Sequence, residues 1–344
     1  MNRIQADIHS IIKKQELFIP LEKSAILITG ATGLIGSMIV KTLLEVNRIY
    51  SLGIRIIGLV RNWEKAEMIF GDEIDKIELI TDYNVPCDYI VHTISPTTSK
   101  FFIEHPVETI RSSVETTISA LELAKSNKAA MVYLSSMEQY GIPYESGQIM
   151  TEDKIGEIDH LNVRSSYSES KRLCECLCAS YAVEYGLDIK IARLAQTFGA
   201  GAPMSDNRMP MQFAKAVVAG RDIELHTEGR SVSNYVYLVD ALTGILTLLA
   251  KGAAGEAYNI CNDKESRTVR QVADLVAGEV AKGRIGVKVA IPKDNPGYAP
   301  DVQMFLSSEK LKALGWNPEI SMVEAYRRLV EYVAQNNNNI HANI

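Results

Sequence analysis

The sequence predicts an α/β fold in which a doubly wound parallel sheet is joined to a smaller C-terminal α/β lobe. Short apolar strands alternate with amphipathic helices up to about residue 195, and shorter, mixed elements follow. The strand candidates are Ala25–Thr29, Arg55–Val60, Ile77–Ile80, Tyr89–His92, Ala130–Ser135 and Ile189–Arg193. The helix candidates between them are Ser37–Val46, Val107–Ser126 and Tyr167–Tyr185. Strands that are apolar along their whole length are typical of parallel sheets covered by helices on both faces.

Three glycines, Gly30, Gly33 and Gly36, follow the first strand candidate at three-residue spacing. Gly30 allows a sharp turn, Gly33 lets a phosphate approach the backbone, and Gly36 lets the next helix pack against the strand. The start of that helix offers free N–H groups and the positive end of its dipole to an anion. This Rossmann-type turn predicts a dinucleotide site. The predicted contacts also include Thr32, Leu34 and Ile35.

The domain boundaries follow from the same patterns. Residues 1–24 are predicted to be an N-terminal helical extension, because Met1–Leu17 is amphipathic. The dinucleotide-binding domain is predicted over residues 25–195, with 235–261 completing its sheet, and residues 196–335 mainly form a substrate-binding lobe. Ser321–Val333 is predicted to be a closing helix, and the asparagine-rich residues 336–344 a disordered tail.

The composition excludes several classes of function. The chain of 344 residues is 47% hydrophobic and carries a net charge of −6, which gives no reason to expect nucleic acid or an anionic membrane as a partner. No apolar run approaches the roughly 20 residues of a membrane span, so a cytoplasmic protein is expected. The five cysteines show no metal-binding spacing, and no metal site is predicted.

A tyrosine and a lysine, Tyr167 and Lys171, lie four residues apart on a predicted helix and therefore share a face. A nearby ammonium group stabilises a phenolate and lowers the pKa of the phenol, which makes the tyrosine a usable base. Ser136 is predicted at the carboxyl tip of a central strand, where its hydroxyl can bind a substrate oxygen. These three residues predict a site for hydride transfer, with Tyr167 as the acid and base.

The choice between NAD and NADP stays open at this stage. An acidic residue at the end of the second strand would bind the adenosine ribose of NAD, but Arg61 and Asn62 stand there. Arg61 can pair with a 2′-phosphate, as in NADP, or stack on adenine. Asp82 is a candidate contact on the adenine side.

The chain resembles the extended short-chain dehydrogenases/reductases, and within them the NAD-dependent epimerase/dehydratase group that acts on nucleotide sugars. The motifs that carry the resemblance are the three glycines, Ser136 before Tyr140-Gly141, Tyr167-x-x-x-Lys171, His92–Pro96, Arg193–Gly199, Tyr237–Asp240, Tyr258-Asn259 and Leu314–Pro318. The resemblance runs from about Ala25 to Val333. It implies a tightly bound NAD or NADP, a nucleotide-sugar substrate, and a homodimer formed by Val107–Ser126 and Tyr167–Tyr185.

The resemblance also assigns residues to the two ligands. It implies cofactor contacts from His92, Thr93, Ser135, Tyr167, Lys171 and Arg193. It implies substrate contacts from Ser95, Ser136, Glu138 and Gln196, the last standing where the group usually has asparagine. Two arginines that usually bind the substrate diphosphate in this group are missing. Ser233 stands at the position of the first, and the segment Asn295–Asp301, where the second would lie, contains no arginine. Arg208 and Arg230 are the candidates to replace them.

The segment Ser136-Met137-Glu138 discriminates within the group. The 4,6-dehydratases resemble Thr-Asp-Glu here, and Met137 cannot act as their proton donor. UDP-glucuronate decarboxylases carry Thr-Ser-Glu, which this chain resembles, whereas 4-epimerases usually lack the glutamate. If the strand continues extended, Ser136 and Glu138 point to the same face.

Four functions are therefore weighed. The leading one is UDP-glucuronate decarboxylation through a transient 4-keto sugar, because the ketone makes the C6 carboxylate a β-keto acid. The alternatives are a nucleotide-sugar 4-epimerase, a keto-sugar reductase or dehydrogenase, and a dinucleotide-binding scaffold without catalytic activity.

Overall fold

We describe the protein from a computed structural model, over residues 1–96, 98–292 and 301–342. The strands are β1 (Ala25–Thr29), β2 (Arg55–Leu59), β3 (Glu78–Ile80), β4 (Tyr89–His92), β5 (Ala130–Ser136), β6 (Ile149–Met150), β7 (Ile189–Leu194), β8 (Gln196–Phe198), β9 (Ile223–Leu225), β10 (Val232–Tyr237), β11 (Ala257–Ile260), β12 (Ser266–Thr268), β13 (Val287–Val289) and β14 (Phe305–Leu306). The six predicted strands all form, and each begins and ends within one residue of its prediction.

A seven-stranded sheet forms the centre of the described part of the chain, in the order β3-β2-β1-β4-β5-β7-β11. All of its neighbouring strands are parallel. The strand order reverses between β1 and β4, and this switch point opens a crevice at the carboxyl ends of the strands. The α/β fold with a doubly wound parallel sheet is thereby confirmed. β11, at one edge, lies within the segment 235–261 that was predicted to complete the sheet.

Helices cover both faces of this sheet. The α-helices of the described residues are α1 (Arg3–Ile12), α2 (Leu34–Tyr50), α3 (Trp63–Phe70), α4 (Ser99–Glu104), α5 (Pro106–Asn127), α6 (Ser166–Tyr185), α7 (Met209–Ala219), α8 (Leu238–Lys251), α9 (Val269–Leu275), α10 (Glu309–Lys312) and α11 (Met322–Ala342). α5 and α6 pack on each other and bury one apolar cluster against the sheet, whereas α2 and α8 belong to a second, larger cluster. The three small sheets, β8-β10-β12, β9-β13 and β6-β14, lie outside the main sheet.

The N-terminal extension packs on the rest of the protein. α1 begins with a capping box between Asn2 and Gln5, and it contacts α2, α8 and α11. Its Asp7 is buried, accepts a hydrogen bond from the Tyr237 hydroxyl at 2.6 Å, and pairs with Arg328 at 3.1 Å. Burial raises the pKa of Asp7, and these partners oppose that shift. α1 therefore ties β10 and α11 together.

The C-terminus differs from the sequence prediction, which expected disorder from residue 336. α11 continues to Ala342, and the Asn336 side chain donates a hydrogen bond to the Tyr332 carbonyl at 2.8 Å. Adding a residue to an existing helix costs far less than starting one, so a polar run can extend a helix that tertiary contacts have already formed. Residues 343 and 344 lie outside the described residues.

Candidate active site

The glycine turn after β1 has the geometry that its sequence predicted. Gly30 has a φ of +64°, in the left-handed region, and its carbonyl accepts a hydrogen bond from the Gly33 N–H at 2.8 Å. A Cβ on Gly36 would lie 2.4 Å from the Gly30 carbonyl oxygen, so only glycine lets α2 start this close to the strand.

The start of α2 fits the phosphates of a dinucleotide. Gly33 is the N-cap of this helix, and no side chain caps the first turn. The first N–H groups of a helix lack partners within it and can bind an anion. Thr32, Leu34 and Ile35 are partly exposed around this turn. The predicted phosphate contacts are therefore accessible at the crevice except for Gly36, which is buried.

The predicted adenine-side residues lie at the carboxyl ends of β2 and β3. Arg61 and Asn62 directly follow β2 and are exposed, and Asp82 follows β3. The Asn62 side chain caps α3 by accepting a hydrogen bond from the Lys65 N–H at 2.8 Å, and Asp82 accepts one from Asn84 at 3.0 Å. Both side chains thus shape the local backbone, while Arg61 faces solvent.

His92 was predicted to contact the cofactor, but its side chain is buried. Its ring is buried, with Nδ1 at 2.9 Å from Thr29 Oγ1 and Nε2 at 3.3 Å from Thr117 Oγ1. Burial and the nearby Lys171 charge lower the pKa of His92 to about 3, so the ring is neutral. The imidazole therefore joins β1 to α5. Thr93, one residue later, is partly exposed, and its hydroxyl donates to the Thr29 carbonyl at 2.6 Å.

Ser135 and Arg193 also point away from the crevice. They face each other on β5 and β7, and both bind the buried carboxylate of Glu175 on α6. Arg193 reaches this carboxylate at 2.7 Å and also donates to the Tyr140 hydroxyl at 2.9 Å. The two predicted cofactor contacts are instead parts of an ion-pair network beneath α6. Successive residues on a strand face opposite sides, so Ser135 and Ser136 cannot both face the crevice.

Tyr167 lies at the crevice with only 8% of its surface exposed. Its ring stacks on Phe102 with a centroid separation of 4.4 Å, and the hydroxyls of Ser136 and Ser95 lie beside its phenol. Burial and the Glu138 charge raise the pKa of Tyr167, and the two serine hydroxyls oppose this shift. The structure therefore brings together three of the predicted catalytic and substrate residues.

Lys171 lies one turn after Tyr167 and is buried. Its Nζ donates a hydrogen bond to the Leu134 carbonyl at 2.7 Å and lies 5.7 Å from the centre of the Tyr167 ring. Burial lowers the pKa of Lys171 to about 8. The expectation that Lys171 sets the phenol pKa stays a prediction.

Glu138 follows Ser136 in a different geometry from the one expected. β5 ends at Ser136, and residues 137–140 form a 3-10 turn, so the extended continuation was wrong. The Ser136 hydroxyl accepts a hydrogen bond from the Glu138 N–H at 3.2 Å. The Glu138 side chain is open to solvent, yet surrounding protein atoms raise its pKa and the Arg164 charge opposes this. The negative charge of the Glu138 carboxylate also raises the pKa of the Tyr167 phenol.

The predicted substrate residues of the lobe are spread over it. Gln196 is exposed on β8. Arg208 forms an ion pair with Asp206 at 2.8 Å, whereas Arg230 lines a cavity of about 390 Å³ with Ile142 and Asp301. Most of the stretch Asn295–Asp301 lies outside the described residues. The structure thus places the two arginines in separate settings.

The sequence matches the NAD dependent epimerase/dehydratase family over residues 26–261. The chain belongs to this family. It is 29% identical to a UDP-glucuronic acid decarboxylase of Arabidopsis thaliana over 87% of this chain and 85% of the relative. It is 25% identical to one of Danio rerio over 91% of this chain and 73% of the relative. This membership makes the chain an NAD(P)-dependent enzyme of the extended short-chain dehydrogenase/reductase type.

Solved structures show the same fold. A UDP-glucose 4-epimerase of Thermotoga maritima superposes with a TM-score of 0.74 at 21% identity, covering 91% of this chain and 99% of that one. A dTDP-glucose 4,6-dehydratase of Bacillus anthracis, in complex with NAD, superposes with a TM-score of 0.72 at 18% identity, covering 92% and 98%. At these identities the likeness establishes the architecture alone.

Two family motifs join the lobe to the sheet rather than forming the crevice. The Trp316 indole donates hydrogen bonds to the Asp240 carbonyl at 3.2 Å and to Thr243 at 3.1 Å. The Asp240 carboxylate accepts from the N–H groups of Glu319 and Ile320. Burial raises the pKa of Asp240 to about 6. Tyr237–Asp240 and Leu314–Pro318 are therefore structural partners.

Sequence reasoning missed Arg172, which follows Lys171 directly. Its guanidinium binds backbone carbonyls of the turn that carries Glu138. The only sequence signal is a cation next to the catalytic lysine, and this does not reveal its target.

Among residues 1–96, 98–292 and 301–342, no cluster of three or more potential ligands could hold a metal ion. None of the described helices is long and apolar enough to cross a membrane.

Proposed function

We propose that this enzyme decarboxylates UDP-glucuronate through a transient 4-keto sugar, giving a UDP-pentose and CO₂. One observation carries the proposal: Ser136 ends β5 beside the Tyr167 phenol, and the turn that follows brings Glu138 to the same place, with its N–H bound to the Ser136 hydroxyl at 3.2 Å. A phenol, a hydroxyl and one carboxyl therefore lie together at the crevice. The names of the two decarboxylase relatives support the choice of substrate.

The first step is oxidation at C4. When bound, the dinucleotide supplies the acceptor for the C4 hydride and later returns it. Tyr167, as phenolate, takes the proton of the C4 hydroxyl, and Ser136 donates a hydrogen bond to the oxygen that becomes the ketone. Burial raises the pKa of this phenol, and the Ser136 and Ser95 hydroxyls beside it oppose that shift and favour the phenolate.

The second step breaks the bond between C5 and C6. The C6 carboxylate leaves as CO₂, and its bonding electrons pass into an enolate across C5, C4 and O4. A proton must then be added at C5. We assign this proton transfer to Glu138, because its carboxyl acts on the Tyr167 phenol and therefore lies near the reacting carbons. Until C5 is protonated the enolate can take CO₂ back, so slow proton transfer also slows the net release of CO₂. Hydride return to C4 and a proton from Tyr167 to O4 complete the reaction.

The same chain is proposed to form a homodimer through α5 and α6. Both helices bury one side against the sheet, yet Ile110, Ile118 and Leu173 are exposed on them. The Tyr181 hydroxyl on α6 donates to Glu122 on α5, so the two helices form one surface. Covering these side chains with a second copy removes apolar area from water. A monomeric mass at micromolar concentration in light scattering would contradict this pairing.

A screen of UDP-, dTDP-, CDP- and GDP-linked sugars, read by mass spectrometry, tests the activity. Decarboxylation of UDP-glucuronate predicts a product lighter by one CO₂. Conversion without a change of mass would instead show a 4-epimerase, and a gain of hydride a reductase. Bound cofactor without turnover of any sugar would show a binding protein. Denaturing the purified enzyme and weighing the released dinucleotide distinguishes NAD from NADP.

A further inference from the structure

We propose that Arg172 is a positioning residue, which holds the turn bearing Glu138 against helix α6. The Glu138 turn is defined here as residues 137–141. The inference rests on the proposed function for its kinetic consequence, but its structural part stands on the contacts of Arg172 alone.

Arg172 binds three backbone carbonyls from two segments. Its Nε donates to the Gln139 carbonyl at 2.7 Å, and one terminal nitrogen donates to those of Tyr140 at 3.0 Å and Gly156 at 2.7 Å. The nearest paired carboxylate, Glu169, is 4.0 Å away. The guanidinium is thus directed at backbone rather than at an acidic partner, and its planar fork can hold several acceptors at once.

The Glu138 turn is also anchored by the side chain of Tyr140, whose hydroxyl donates to Asn259 at 2.9 Å and accepts from Arg193 at 2.9 Å. The other hydrogen bonds of its backbone are local. The Glu138 N–H binds Ser136 at 3.2 Å, and the Gly141 N–H binds the Glu138 carbonyl at 3.2 Å, both within the turn or directly beside it. The link to the neighbouring segment is the hydrogen bond from Gly156 to the Tyr140 carbonyl at 2.8 Å. Arg172 binds both ends of this link and connects it to α6.

The segments meet so closely that side chains are excluded. A Cβ on Gly141 would lie 2.2 Å from the Glu157 carbonyl oxygen, and one on Gly156 would lie 2.3 Å from that of Ile142. Because neither glycine has a side chain, the two backbone segments pack directly against each other, and their carbonyl groups face the same side. Arg172 satisfies these carbonyls, which explains why a long cation stands here on α6.

The other catalytic groups are anchored independently. Ser136 ends a strand of the main sheet, Lys171 binds the Leu134 carbonyl, and Tyr167 stacks on Phe102. Loss of Arg172 therefore displaces Glu138 but leaves the groups for C4 oxidation in place. A misplacement of about 1 Å can cost on the order of 100-fold in the step that depends on the displaced group.

The test compares Arg172→Gln and Arg172→Lys with wild type and with Arg48→Gln as a control. Arg48 is an exposed arginine in the last turn of α2, at the end opposite the glycine turn, and its ion pair is with Glu45. Single-turnover experiments with UDP-glucuronate and holoenzyme follow reduced cofactor at 340 nm and CO₂ release separately. Hydrogen exchange of the peptide covering residues 137–141 is measured without substrate.

In Arg172→Gln we expect CO₂ release to slow by about 10- to 100-fold and C4 oxidation to change by less than about threefold, so that reduced cofactor accumulates. We expect faster exchange in residues 137–141, a smaller effect in Arg172→Lys, and none in Arg48→Gln. Unchanged exchange, or equal slowing of both steps, would overturn the inference. If exchange rises in Arg172→Gln but wild type releases no CO₂ from UDP-glucuronate, the positioning role stands and the proposed activity fails.

Discussion

The turns after β1 and β5 lie at the same edge of the sheet but are held in different ways. The β1 turn is fixed by its own residues, because the positive φ of Gly30 and the missing Cβ of Gly36 define its path. The backbone of the Glu138 turn is bound by Arg172, which comes from a helix some thirty residues later in the chain, and its Tyr140 hydroxyl is bound by Asn259 and Arg193. We therefore expect the β1 turn to keep its shape when the Glu138 turn is displaced.

Tyr167→Phe is expected to give the largest effect, because it removes the proton acceptor while leaving both turns intact. C4 oxidation should fall by about 10² to 10⁴-fold, with unchanged dinucleotide affinity. Stopped-flow absorbance at 340 nm measures the rate, and isothermal titration measures the affinity. Near wild-type oxidation by the variant would remove Tyr167 from the mechanism.

Glu138→Gln is expected to impair only the function of the Glu138 turn. The step after oxidation should slow by about 100-fold, so reduced cofactor accumulates. The substitution also removes the negative charge that raises the pKa of Tyr167. The phenol should then lose its proton at lower pH, and the rising limb of the pH profile for C4 oxidation should move to lower pH. A shift to higher pH, or normal CO₂ release, would show that Glu138 has a structural role.

Gly36→Ala tests the locally held turn. Its Cβ would lie 2.4 Å from the Gly30 carbonyl oxygen, so α2 must move away from β1. Overpacking of this kind costs about 1–3 kcal/mol, and dinucleotide affinity should fall with it. Gly278→Ala is the matched control, since a Cβ there meets nothing within 4 Å. Equal stability and cofactor affinity of the two variants would contradict the close helix–strand contact.

His92, which lies beneath the crevice between β1 and α5, should give the smallest effect, visible only as pH changes. Burial lowers its pKa to about 3, from an ordinary value of 6.5. Between about pH 6.5 and pH 3, the His92 ring therefore binds a proton in the unfolded chain but stays neutral in the folded chain. This contribution to stability is complete above pH 6.5 and is lost as the pH falls towards 3, by up to about 1.4 kcal/mol per pH unit.

Urea unfolding at pH 7 and pH 5 measures this dependence. His92→Asn should lose less stability between these pH values than wild type does, whereas the exposed His160→Asn should behave like wild type. The same loss in wild type and His92→Asn would show that His92 does not contribute to acid sensitivity.

The features that the sequence predicts correctly depend on neighbouring residues in the chain. The glycine spacing, the apolar strands and the spacing of Tyr167 and Lys171 are all local. The errors concern which way a side chain points. Ser135 faces α6 and Ser136 faces the crevice. The sequence around them does not reveal which of the two serines lies on which face of the strand. Arg193 shares the Ser135 face because β5 and β7 pair in that register.

Long-range contacts explain the remaining errors. Two threonines from other elements bind the His92 ring, and three distant carbonyls bind Arg172. Such partners depend on how the helices dock, and no spacing along the chain encodes them. The turn at residues 137–140 likewise replaces an extended strand because Gly141, with a φ of +72°, bends the backbone back towards residue 157.

The contacts of α1 have a consequence for protein synthesis. Asp7 leaves the ribosome well before its partners Tyr237 and Arg328, which follow more than two hundred and more than three hundred residues later. Domains generally fold from the N-terminus as they are made. The sheet up to β11 can therefore assemble while this carboxylate is still hydrated, and its burial is completed only when α11 has emerged.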